Sequence, residues 1–178
     1  MNTPNKLSLL RVALIPLMVL LMYLPGWPMV LLSTAVFGAA AYTDYLDGHI
    51  ARRDGIVTDF GKFIDPVADK LLNLSAMIML TYCGLLPQWA VIVILARELA
   101  VDGLRMVAVG QGRVIAAGKL GKIKTVTQII LILWLMILRL PVMGNILSAL
   151  LTLAVVVMTL WSGVDYFIRN KHVIANAK

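Results

Sequence analysis

The stretch Asp44–Lys70, DYLDGHIARRDGIVTDFGKFIDPVADK, holds six of the nine acidic residues in a chain of 178. An apolar run leads into it from Met29 to Tyr42, and a second leads away to Tyr82. Asp44 and Asp47 stand three apart where the first run ends, and Asp65 and Asp69 four apart where the second begins. If both runs are helices, each pair lies on one helical face. Four carboxylates gathered at a membrane boundary repel one another unless a cation sits among them, and hard divalent ions take oxygen ligands. The residues by themselves predict a metal site.

Outward from this stretch the chain is apolar almost throughout. It is 61% hydrophobic and 14% charged, with a mean hydropathy of +0.91. Runs near the roughly 20 residues that cross a hydrocarbon core alternate with short charged or Gly/Pro-containing segments. This pattern predicts an all-α polytopic membrane protein with six transmembrane helices. After Asn5–Leu10, an interfacial turn or helix, the first span runs from Ser8 to Leu24, with Arg11 snorkelling or facing the interior. The second, Met29–Tyr42, carries straight into Asp44 and Asp47, and Gly48–Thr58 forms the connection. The third covers Asp59–Tyr82, with Pro66 kinking it or marking its first turn. Gln88–Val109, Ile123–Leu138 and Asn145–Ile168 complete the set.

Charge orients these spans. Lys and Arg collect at the N-terminus, in the 48–58 and 110–124 connections and in the tail, while the other connections hold only Arg139. The positive-inside rule then places both termini and the aspartates at the cytoplasmic face of the cell membrane. Leu9–Leu24 lacks a small-residue cleavage site and does not read as a signal peptide. No internal repeat or boundary divides residues 1–178, which read as one domain.

Several classes are excluded. The single cysteine, Cys83, permits no intrachain disulfide, and two histidines without cysteine partners argue against zinc. The net charge of +7 comes from basic residues between apolar runs without interleaved aromatics. Phosphate-bearing substrates and anionic membrane lipids fit it better than nucleic acid. The fourth run carries Arg97, Glu98, Asp102 and Arg105, a costly load inside a membrane. Glu98, Asp102 and Arg105 fall at i, i+4 and i+7 and are expected to neutralise one another while supporting the metal site or lining an acceptor pocket.

The spacing Asp44-x2-Asp47-Gly48-x2-Ala51-Arg52-x8-Gly61-x3-Asp65-x3-Asp69 resembles the signature of the CDP-alcohol phosphotransferases, membrane enzymes of phospholipid biosynthesis. That resemblance implies their fold and their reaction, in which an acceptor hydroxyl attacks the phosphorus of a CDP-linked lipid and CMP leaves. It implies two Mg²⁺ or Mn²⁺ ions held by Asp44, Asp47, Asp65 and Asp69, with Asp69 also the general base. Asn5, Gly48, Ala51, Arg52, Thr58 and Gly61 then contact the CDP-lipid. The segments NKLSLLR, DPVADK, ARELAVDGLR and GKIKTVTQ look like those of members that use glycerol 3-phosphate. The implied substrates are therefore CDP-diacylglycerol and glycerol 3-phosphate, and the family implies a homodimer. Arg105, Lys119, Lys122 and Lys124, around the cytoplasmic ends of the fourth and fifth spans, are the candidates for the acceptor phosphate. A sibling enzyme using inositol phosphate or serine is one alternative. A small cation transporter is another, although its acidic residues would be spread along a path instead of gathered at one face.

Overall fold

The computed structural model describes residues 3–54, 59–113, 115 and 118–175; the side chains of 3–6, 44–54, 59–63 and 174–175 lie outside that description. Every regular element among the described residues is helical: α1 (Thr3–Tyr23), α2 (Trp27–Asp54), α3 (Asp59–Tyr82), α4 (Gln88–Gly110), α5 (Lys119–Leu138), α6 (Ile146–Arg169) and the short α7 (Lys171–Ala175). Three boundaries depart from the sequence reading, one of them the start of α5, which lies at Lys119 and not at Ile123. The interfacial segment at Asn5–Leu10 is the first part of α1, and α2 continues past Gly48 to Asp54. Residues 49–54 include no proline, and a lone Gly48 costs a helix only about 1 kcal/mol.

Among the described residues, α5 and α6 are long and apolar enough to cross a membrane, and the apolar parts of α1 and α2, Leu7–Tyr23 and Trp27–Thr43, are shorter. In α3 and α4 the charged residues themselves lower the hydropathy. Asp65, Asp69 and Lys70 lie on α3, and Arg97, Glu98, Asp102 and Arg105 on α4.

Two compact units emerge, the first from Met1–Cys83 with Ile132–Arg139, the second from Gly84–Leu131 with Leu140–Lys178, so that α5 contributes to both. In the first unit α1 packs on α2 and on α3. A turn with Gly26 at φ 107° reverses the chain, and Arg11, early in α1, meets Ala40, late in α2. These two helices are therefore antiparallel. α1 and α3 run the same way, because Ser8 meets Asp65 near their starts and Tyr23 meets Tyr82 near their ends, ring centroids 5.0 Å apart.

In the second unit α4 packs on α6. Arg97 meets Ser162, Arg105 meets Tyr166 and Gln111 meets Val173, so the contacts advance together and the two helices are parallel. Gly112, at φ 70°, closes α4: its N–H donates to Val109 O and that of Arg113 to Ala108 O, both at 2.9 Å. This paired closure needs a left-handed residue that glycine supplies without strain. Asn145 caps α6 by accepting from the Ser148 N–H at 3.0 Å.

Candidate active site

Asp65 and Asp69 sit on successive turns of α3, which sets their Cβ atoms about 5–6 Å apart. Both are half-buried, and each has a partner that fixes it. The fully buried Ser8 donates from Oγ to Asp65 Oδ1. Asn73, 5% exposed, donates from Nδ2 to Asp69 Oδ1 at 3.1 Å and to Asp69 O at 3.0 Å. One helical turn thus orients its own carboxylate.

A turn beyond Ser8 on the same face of α1, Arg11 is fully buried. Its Nε donates to Ala40 O at 3.3 Å and lies 3.5 Å from Thr43 Oγ1, on the turn of α2 that precedes Asp44. Arg11 therefore faces the interior and does not snorkel. The Ser8 and Arg11 face of α1 touches both aspartate-bearing helices, Asp65 on one side and the Ala40–Thr43 turn on the other. Sequence reasoning gave Ser8 and Asn73 no role. For Asn73 the signal was its i, i+4 spacing from Asp69; for Ser8, one hydroxyl in an apolar helix, there was none.

Asp44, Asp47, Gly48, Ala51 and Arg52 fall in α2, Gly61 in α3 and Asn5 in α1, with side chains outside the described residues, and Thr58 lies outside them altogether. The expected ligands are carboxylate oxygens throughout, and two of them are pre-oriented by hydrogen bonds from buried polar side chains. This donor set fits hard divalent cations.

A second polar cluster belongs to α4, α5 and α6. Glu98 Oε1 pairs with Lys124 Nζ and lies 3.3 Å from Arg97 Nη1, while Arg97 Nη2 donates to Ser162 Oγ at 3.1 Å. The side chains of Lys124 and Glu98 are only 4% and 12% exposed. Neutralisation therefore runs across helices, from Glu98 to Lys124, and not along α4 to Arg105 as the spacing suggested. Gly163 makes room for the cluster, since a Cβ there would stand 3.0 Å from Arg97 Cγ.

Arg105 turns instead to Tyr166. Its Nε donates to Tyr166 Oη at 3.1 Å, and its Cζ lies 5.5 Å from the ring centroid. Of the four cations predicted for the acceptor phosphate, Lys119 and Lys122 are exposed, Arg105 is half-buried, and Lys124 is buried against Glu98.

The CDP-alcohol phosphatidyltransferase family model matches residues 1–161. A Bacillus subtilis protein named CDP-diacylglycerol--glycerol-3-phosphate 3-phosphatidyltransferase is 44% identical, the match covering 95% of each chain. One of the same name from Salmonella choleraesuis is 39% identical over 93% of this chain and 92% of its own. A probable phosphatidylglycerophosphate synthase of Mycobacterium tuberculosis is 38% identical over 94% and 81%. With the aspartates of its signature arranged on α2 and α3, this chain belongs to the CDP-alcohol phosphatidyltransferase family.

Proposed function

We propose that the protein transfers the phosphatidyl group of CDP-diacylglycerol to glycerol 3-phosphate, releasing CMP and forming phosphatidylglycerophosphate. The observation that carries this reading is the pair Asp65 and Asp69 on one face of α3, each held by a buried polar side chain. The substrates come from the names of relatives matched over nearly their whole length.

Asp44, Asp47, Asp65 and Asp69 would hold two Mg²⁺ or Mn²⁺ ions, which when bound polarise the phosphorus and offset the charge of the departing CMP. Asp69 takes the proton of the acceptor hydroxyl, and Asn73 sets the angle at which its carboxylate meets that proton. Ser8 holds Asp65 in the same manner. Asn5, Gly48, Ala51, Arg52, Thr58 and Gly61 contact the CDP-lipid, with the glycines and Ala51 allowing close approach to backbone. Arg105 carries the acceptor phosphate, assisted by Lys119 and Lys122; Lys124 joins them with its charge already shared with Glu98.

Residues 1–178 act as one catalytic domain, a reading supported by the single family match over residues 1–161. Six spans with both termini in the cytoplasm agree with α1 antiparallel to α2, α1 parallel to α3, and α4 parallel to α6. The homodimer has a fitting surface in the exposed row Leu153, Val157, Leu160 and Val164 of α6, which equally suits lipid tails.

The test is CMP release by purified protein in detergent with CDP-diacylglycerol and Mg²⁺, offering glycerol 3-phosphate, inositol phosphate, serine or no acceptor in parallel. Release that requires glycerol 3-phosphate and vanishes in Asp69→Asn is the expected result. Release with another acceptor overturns the substrate, and none with any acceptor from folded protein overturns the reaction.

A further inference from the structure

We propose that Tyr166 is a positioning residue for the acceptor. It holds the Arg105 guanidinium by its Nε so that the two-nitrogen edge is presented to the phosphate of the incoming alcohol. This rests on the acceptor-site reading of Arg105 and adds to it a residue beyond position 161, where the family match ends.

The ring of Tyr166 is a buried anchor. It is 6% exposed and belongs to a buried cluster with Val101, Leu104, Ala108 and Val173. Val101 and Ala108 lie on the same face of α4 as Arg105, at i−4 and i+3, and Leu104 adjoins it, so the helix that carries the arginine also packs on the ring. The phenol oxygen accepts from Arg105 Nε at 3.1 Å, and the guanidinium carbon stands 5.5 Å from the ring centroid. Two attractions, a hydrogen bond and the cation against the ring, thus act on one side of the guanidinium.

What they leave is chemically specific. Arginine binds phosphate best through two parallel N–H donors, and its long side chain loses rotamer entropy on being fixed. A guanidinium already held at Nε has met part of that loss before the ligand arrives. Among the described residues no carboxylate forms a salt bridge with Arg105, whereas Lys124 is paired with Glu98. Its Nε partner is a neutral phenol, which orients the guanidinium without cancelling its charge.

The experiment is steady-state kinetics on the purified full-length protein in mixed micelles, varying glycerol 3-phosphate and CDP-diacylglycerol separately. Tyr166→Phe removes one oxygen and keeps the ring. It should raise KM for glycerol 3-phosphate about tenfold, from the loss of a charge-assisted hydrogen bond, with kcat and KM for the CDP-lipid within about twofold. Arg105→Ala should raise the same KM further, and Tyr166→Phe added to it should change nothing more, since no guanidinium remains to be held. An acceptor KM that responds to Arg105→Ala and not to Tyr166→Phe overturns the positioning role and leaves the acceptor site standing. No response to Arg105→Ala overturns that site itself. Equal changes in both KM values, or a fall in kcat alone, mark Tyr166 as merely structural and also overturn the proposal.

Discussion

Asn73 donates to the carboxylate of Asp69 one turn behind it, and Ser8 to that of Asp65 from a different helix. Each fixes an oxygen that, in the proposed reaction, faces a cation or a proton. Partners of this kind are typically worth 10–100-fold in activity or metal affinity. Asn73→Ala should therefore lower kcat by about 10–100-fold with little change in either KM, as measured by CMP release. Ser8→Ala should weaken Mn²⁺ binding by a similar factor, read by titration of free Mn²⁺ in the absence of substrate. Lys122 and Lys124 make a contrasting pair, two residues apart. Lys124→Ala removes the buried cation that pairs with Glu98 and should destabilise the protein by up to about 3–5 kcal/mol. Exposed Lys122→Ala should stay within about 0.5 kcal/mol. Thermal unfolding in detergent separates them, and an unchanged Tm for Lys124→Ala would contradict the buried pair.

Helices α4 and α6 approach closely because Gly163 has no side chain. A Cβ at that position meets Arg97 Cγ at 3.0 Å, so Gly163→Ala must push the arginine or the helix aside, at roughly 1–3 kcal/mol. A lowered Tm together with reduced CMP release is the expected outcome. Elements were the most legible part of the sequence. Runs of apolar residues between Gly/Pro turns gave α3, α4 and α6 nearly to their ends, because in a chain this apolar the breakers mark most boundaries. The continuation of α2 to Asp54 was hidden by Gly48 and by charge, both of which read as a loop. Asp65 and Asp69 were visible from spacing alone, since a helix turns i, i+4 into proximity. Their partners were not, because Ser8 lies 57 residues from Asp65 and its role exists only after α1 packs on α3. The pairing of Glu98 with Lys124 was obscured similarly: local spacing favours neighbours on α4, and the buried geometry favours a cation 26 residues away on α5.

At the scale of the whole molecule, topology can be tested with a single native probe. Cys83 is the only cysteine and lies in the uncharged connection between α3 and α4. The proposed six spans with cytoplasmic termini would place it outside, so on that topology a membrane-impermeant maleimide should label it in intact cells. A cysteine replacing Lys119 in a Cys83→Ala background should be labelled only after the membrane is opened; the reverse pattern would invert the topology. The parallel contact of α4 with α6 has a further consequence, one of timing during synthesis. The Ser162 hydroxyl that receives Arg97 is made 65 residues after it, a wait of about 3–13 s at ribosomal rates of roughly 5–20 residues per second. Glu98 arrives at once, Lys124 partway and Ser162 last, so the guanidinium keeps its neighbour's charge and gains its hydroxyl at the end. Until α6 emerges, α4 is a charged segment awaiting its partner, and a nascent chain stalled in that interval presents membrane quality control with an unfinished ion cluster.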